Sequence, residues 1–303
     1  MIWAVGFALA SLILAPFLIE ASRKPVDAIL QADAPGNFAV LSDGATHYRW
    51  DGPEGGPVVV MIHGLTSPSY FFDPIVTGIN ALGFRTLRYD LYGRGYSDRV
   101  RADHDADLYC RQLSELLDVL DVKGRVSLIG YSMGGGIATE FAARDADRIE
   151  YLVLLAPAGM AHIPTRLDRL MRDWPGLGEW LCRGLGAKNL HRQLAYIPDE
   201  TLRDQLIAET RRQGVMPAIL SSGRHFLRDD LEDAHERLMR AALPVLAIWG
   251  GRDSVIPPIA REILEEWNPE AQQFTIDDAE HGLISSHPRE IVVAFGNFTD
   301  DFI

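Results

Sequence analysis

Ser132 lies in the run Arg125 to Gly136, R-V-S-L-I-G-Y-S-M-G-G-G, where an apolar stretch from Val126 to Ile129 leads through Gly130 and Tyr131 into the serine and then into small residues. The pattern is G-x-S-x-G. It places a hydroxyl on a tight strand-to-helix turn, where side chains two positions before or after the serine would collide with the turn. The turn holds the hydroxyl clear of the backbone, with N–H groups and the positive end of a new helix beside any atom it attacks. That geometry suits acyl chemistry. A nucleotide-binding turn is the competing reading, but the chain carries neither G-x-G-x-x-G nor a lysine-bearing phosphate loop here.

A serine alkoxide is not available at neutral pH, so the hydroxyl needs a base within hydrogen-bond reach and the base needs a group that fixes its tautomer. Two later segments supply both. Gly250-Gly251-Arg252-Asp253 follows an apolar run ending at Trp249, and Glu280-His281-Gly282 follows one ending near Ile276. Carboxyl ends of parallel strands share one sheet edge, so Ser132, Asp253 and His281 can meet there in that chain order. Asp277 and Asp278 compete for the acid role by closeness in sequence, although a loop on the neighbouring strand reaches the imidazole better. Among the other histidines, His63 reads as a loop brace, and His104 and His287 as solvated.

The elements that must carry these residues follow from periodicity. Phe38 to Leu41 and Thr46 to Trp50 flank Ser42-Asp43-Gly44, a hairpin signal. Val58 to Ile62 is a continuous apolar run suited to a strand covered on both faces, and it ends in His63-Gly64-Leu65. Asp73 to Leu82 and Asp105 to Leu120 read as helices, Phe84 to Tyr89 and Tyr151 to Leu155 as strands. Alternating strand and helix predicts an α/β fold whose mostly parallel sheet is covered on both faces. From Gly159 to Leu243 the pattern is helical only. It then returns to strand at Pro244 to Trp249, helix at Ile259 to Trp267, strand at Gln273 to Ile276 and helix at Pro288 to Phe298. Residues 159–243 therefore read as a helical lobe inserted into a core made of 25–158 and 244–303.

Residues 1–24 stand apart. Met1 to Ile19 carries no charge, and as a helix it would be about 28 Å long, close to the hydrocarbon thickness of a bilayer. An uncleaved membrane anchor is the leading reading. Arg23 and Lys24 just beyond it favour a catalytic body on the cytoplasmic side. An export signal and a helix docked on an apolar protein surface are the alternatives; no basic residue precedes the run and no clear cleavage site follows it. The formal charge of −13 argues against nucleic acid as a partner. The acidity is uneven, since residues 158–243 hold 13 Lys+Arg against 12 Asp+Glu. Cys110 and Cys182 lack metal-ligand spacing and read as free thiols.

Five segments, the His63-Gly64 turn, R-Y-D-L-Y-G-R-G-Y-S from Arg88, G-Y-S-M-G-G, G-G-R-D-S-V-I-P and E-H-G, together resemble the α/β-hydrolase superfamily of the type with a helical cap. The likeness runs over about residues 38–300. Among its members the chain is similar at a coarse level to membrane-anchored monoacylglycerol lipases and carboxylesterases. The resemblance implies an α/β-hydrolase sheet with an inserted cap, Ser132 as nucleophile, His281 as base, Asp253 as its orienting acid, and no metal or organic cofactor. It also implies that the backbone N–H groups of Leu65 and Met133 hold the oxyanion. His63, Gly64 and Tyr131 around the elbow, with Trp174 and Phe226 of the cap, are expected to border a small-molecule ester or lipid substrate. Ser132 at the elbow argues against dehalogenases and epoxide hydrolases, which carry aspartate there. Tyr131 departs from the asparagine common in carbon–carbon bond hydrolases. A serine ester hydrolase leads; a carbon–carbon hydrolase or lactonase with the same triad, and a non-catalytic binding protein on this fold, remain open.

Overall fold

The computed structural model describes residues 2–161, 164–194, 197–228 and 230–300. Its centre is an eight-stranded sheet in the order β1-β2-β4-β3-β5-β6-β7-β8. β1 (Asn37–Val40) and β2 (Ala45–Asp51) form the antiparallel hairpin that Asp43-Gly44 predicts, and β2 also runs antiparallel to β4 (Arg85–Tyr89). β3 (Val58–Ile62), β4, β5 (Val126–Tyr131), β6 (Ile149–Leu155), β7 (Val245–Gly250) and β8 (Gln272–Ile276) are parallel.

Strand side chains alternate between two cores. Val60 and Ile62 of β3 face one, with α4 (Ala106–Val119) and α5 (Met133–Arg144); Val59 and Met61 face the other, with α3 (Asp73–Ala81) and α14 (Pro288–Asp300). That two-sided burial is why β3 reads as an unbroken apolar run. β5 lies between β3 and β6, so the residue that follows it emerges at the middle of the sheet edge.

Between β6 and β7 come α6 (Arg166–Asp173), α7 (Leu177–Leu181), a π-helical turn (Cys182–Gly186), α8 (Ala187–Gln193), α9 (Glu200–Glu209), α10 (Val215–His225) and α11 (Glu232–Arg240). Arg224 of α10 donates to the carbonyls of Met171 and Arg172 and pairs with Glu179, which binds α6, α7 and α10 into one body. α11 instead packs on α5 and on α12 (Ile259–Trp267), in the helical layer on the sheet face.

At the N-terminus, α1 (Ile2–Ala21) precedes the short α2 (Ala28–Ala32). Among the described residues α1 is the one helix long and apolar enough to cross a membrane, and only 11% of its apolar window is buried. Its C-terminal half lies against α7 and the π turn. Met1 falls outside the described residues.

Candidate active site

The turn after β5 forces Ser132 to φ 52° and ψ −119°, a conformation that non-glycine residues rarely adopt. Its neighbours show why glycine brackets it. A Cβ on Gly130 would lie 2.4 Å from the Gly134 carbonyl oxygen, and one on Gly134 would lie 2.0 Å from that of Ile62. The strained residue is fixed by backbone bonds: Ser132 N–H donates to Leu155, and its carbonyl accepts from Gly135 and Ala158.

His281 and Asp253 reach the same place from two loops packed into each other. Gly251 N–H donates to Ile276 O (2.8 Å) and Arg252 N–H to Ala279 O (2.9 Å), with Gly250 and Gly251 too close to the β8 loop to carry a Cβ. His281 Nε2 then lies 3.1 Å from Ser132 Oγ, and its Nδ1 lies 2.8 Å from Asp253 Oδ2. The second carboxylate oxygen of Asp253 accepts the N–H groups of Val255 (2.7 Å) and Ile256 (2.9 Å). Asp253 is thus held by two backbone donors, and a proton on His281 Nδ1 makes Nε2 the acceptor for the serine hydroxyl. Tyr131 donates its hydroxyl to the His281 carbonyl (3.1 Å) and stacks on Phe71. Asp278 pairs instead with His287, at 3.2 Å.

A cavity of about 240 Å³ opens over these side chains, lined by Leu65, Tyr131, Ser132, Met133 and His281 below and by residues of the helices between β6 and β7, such as Met171, Leu190, Met216 and Leu220, above. Its wall is mainly apolar. Among the described residues no protein acceptor takes the backbone N–H of Leu65 or Met133. Ser67 lines the cavity too, with a buried hydroxyl that has no protein partner.

Several sequence-based expectations need correcting. Trp174 is 60% exposed and stands outside the cavity, because α6 ends at Asp173 and the chain turns outward there. Phe226 is buried against Tyr109 and Gly136, so it belongs to the core on the α4 and α5 side of the sheet. His63 and Gly64 lie behind the cavity wall. The His63 ring bonds Gly64 O (2.8 Å) and accepts Leu91 N–H (2.9 Å), and burial pushes its pKa down to about 4, so it is a neutral brace. His104 is buried, not solvated: burial and the neighbouring Arg94 guanidinium lower it to about 3.

Two residues of the glycine-broken loop that follows β4, from Asp90, were not assigned a role from sequence. Asp90 accepts Ser69 N–H, Tyr96 N–H and the ring of His47, and these bonds hold its carboxyl well below the usual range despite burial. Arg94, fully buried, donates to the carbonyls of Leu65 (3.1 Å) and Tyr92 (3.0 Å), to Tyr109 Oη (3.0 Å) and to Ser222 Oγ (2.6 Å). One guanidinium thus joins the Leu65 loop to α10. The signal available in sequence was the presence of charged residues, Asp90 and Arg94, inside a glycine-rich loop between strands, where a turn alone needs neither.

A family model described as the α/β hydrolase fold matches residues 57–288. The chain belongs to the α/β-hydrolase family. It is 28% identical over 302 residues to a 2-hydroxy-6-oxononadienedioate/2-hydroxy-6-oxononatrienedioate hydrolase of Cupriavidus pinatubonensis, covering 92% of this chain and 98% of that one. It is 27% identical over 257 residues to a pimeloyl-(acyl-carrier protein) methyl ester esterase of Nitrosomonas europaea, covering 79% and 94%. A crystal structure of a bacterial membrane phospholipase A superposes with a TM-score of 0.70 at 20% identity over 99% of this chain and 96% of that one, a likeness of fold.

Proposed function

We propose that this α/β hydrolase is a serine ester hydrolase, a carboxylesterase or monoacylglycerol-type lipase that works through an acyl-enzyme. The observation that carries the reading is the continuous contact from Ser132 Oγ through His281 to Asp253 at the floor of an apolar cavity. Ser132 Oγ attacks the acyl carbon as its proton passes to His281 Nε2. The negative charge on the former carbonyl oxygen is met by the N–H groups of Leu65 and Met133, where one such donor contributes about 3 kcal/mol. Collapse of the intermediate expels the alcohol, which takes the proton from Nε2. Water then attacks the acyl-enzyme, giving its proton to Nε2, and the second collapse releases the acid and returns that proton to Ser132. Asp253 keeps the imidazole in the tautomer this requires and stabilises its charged form.

In this reading the inserted residues 159–243 cap the site through α6 to α10, whose apolar side chains above the triad select the acyl group, while α11 returns to the sheet face. α1 serves as a membrane anchor, with the catalytic body on the cytoplasmic side favoured by Arg23 and Lys24. The test is Ser132→Ala on short p-nitrophenyl esters: turnover should vanish with the fold intact, and wild-type rate in the mutant would overturn the assignment. The likeness to a carbon–carbon bond hydrolase supports a second reading with the same triad; a panel of dienone, lactone and monoacylglycerol substrates separates the two. A fluorophosphonate probe tests the non-catalytic alternative, since a binding module should label poorly.

A further inference from the structure

Pro16 breaks the hydrogen-bond ladder of α1, because proline has no N–H to give the carbonyl four residues earlier. That carbonyl belongs to Leu12, and the cap fills the gap: Trp180 Nε1 donates to Leu12 O at 3.1 Å. Further along the same stripe, Gly184 of the π turn packs against Pro16, and the Arg183 guanidinium sits 5.0 Å over the Phe17 ring. Glu20 then accepts Gly214 N–H (2.7 Å) at the start of α10 and pairs with Arg23 (2.8 Å). Positions 12, 16 and 20 therefore form one docking face on the cap.

The depth of this contact matters. Leu12 lies about 14 Å along the helix from Ala21, so a bilayer that covers the apolar length of α1 must also reach α7. The outer surface of that edge is apolar. Leu177, one turn before Trp180, is 44% exposed, and Leu185 next to Gly184 is 46% exposed. Residues 158–243 hold 13 Lys+Arg against 12 Asp+Glu, so this segment lacks the acidic excess of the rest of the chain that anionic headgroups would repel.

We infer that α1 and the cap edge formed by α7 and the π turn enter one leaflet of a phospholipid bilayer as a single surface, so that lipid chains border the helices that wall the cavity. Cys182, Gly186 and Leu190, which line the cavity, sit on the same turn and the helix that follows it. The inference rests on the reading of α1 as an anchor, and it deepens that reading: the cap touches the membrane that supplies a single-chain lipid ester.

The experiment uses the full chain in vesicles of phosphatidylcholine and phosphatidylglycerol that carry a shallow lipid-attached quencher. An environment-sensitive fluorophore is placed singly at Phe7→Cys, Leu177→Cys, Leu185→Cys and Val119→Cys; the native Cys110 and Cys182 are both buried. Val119 ends α4 at the opposite edge of the sheet. Quenching at 177 and 185 approaching that at 7, with none at 119, is expected. Quenching at 7 but not at 177 or 185 overturns the inference and leaves the anchor standing; no quenching at 7 and no co-sedimentation sinks both. In parallel, Leu177→Glu with Leu185→Glu should lower kcat/KM for vesicle-embedded monoacylglycerol about tenfold and leave soluble p-nitrophenyl butyrate unchanged. Equal activity on vesicles would count against the cap contact.

Discussion

Replacing Arg94 with methionine tests the link between α10 and the loop that carries Leu65. The side chain is fully buried, and its guanidinium is the donor to Leu65 O and Tyr92 O. Its other partners keep contacts of their own, since Ser222 Oγ still donates to Ala218 O and still meets Tyr109 Oη. The damage therefore falls on two buried carbonyls. At about 1–3 kcal/mol for each acceptor left unpaired, Arg94→Met should cost roughly 2–6 kcal/mol of stability. The Leu65 loop, freed at its carbonyl, should also hold its N–H less well. Complete loss of one oxyanion donor corresponds to about 3 kcal/mol, or on the order of a hundredfold in kcat, so the mutant should lose between tenfold and a hundredfold with little change in KM. Arg94→Lys keeps the charge without the fork and should fall between. Urea titration and steady-state hydrolysis of p-nitrophenyl butyrate give the two readouts. A mutant with wild-type kcat and a lowered urea midpoint would show that Arg94 supports the cap alone; unchanged values of both would refute the argument.

Stability should fall as the medium is acidified from pH 6.5 towards 4.5. His63, His104 and His235 are held neutral by burial, with pKa values of about 4, 3 and 4, so the unfolded chain takes up their protons first. Glu209, raised to about 7 by burial, opposes them by one proton. The net uptake of about two protons gives a slope of roughly 3 kcal/mol per pH unit near pH 5, measured as urea unfolding free energy against pH; a flat or inverted slope contradicts it. Trp180→Phe removes the hydrogen bond to Leu12 O and should cost about 0.5–1.5 kcal/mol in detergent-solubilised protein. In a Pro16→Ala background the restored N–H should take that carbonyl, and the penalty should shrink; an equal penalty in both backgrounds would deny the pairing. Gly186→Ala would put a Cβ 2.7 Å from Met216 Cε, pushing that flexible end into the cavity. Hydrolysis of long-chain esters should drop about tenfold relative to butyrate, as competition assays would reveal.

The amino-acid order alone determined what is local. The elbow is written in Gly130, Ser132 and Gly134 because steric exclusion acts within a few residues of the turn. The strands are written in runs such as Val58 to Ile62 because burial on both faces demands apolar residues throughout. The chain order of Ser132, Asp253 and His281 followed from strand ends sharing one edge, and α1 from an uncharged run of membrane length. Tertiary structure decided what depends on the neighbours a side chain meets. His63 braces the Leu65 turn as its place before Gly64 suggests, whereas His104, expected in solvent from its charged loop, is buried against Arg94. Trp174 and Phe226 both read as cap aromatics, but one faces outward and the other lies in the core, since helical spacing within the cap gives no orientation towards the sheet. Leu12 shows the same limit: the missing donor is readable from Pro16, while the indole that replaces it lies 168 residues away and is brought there only by packing.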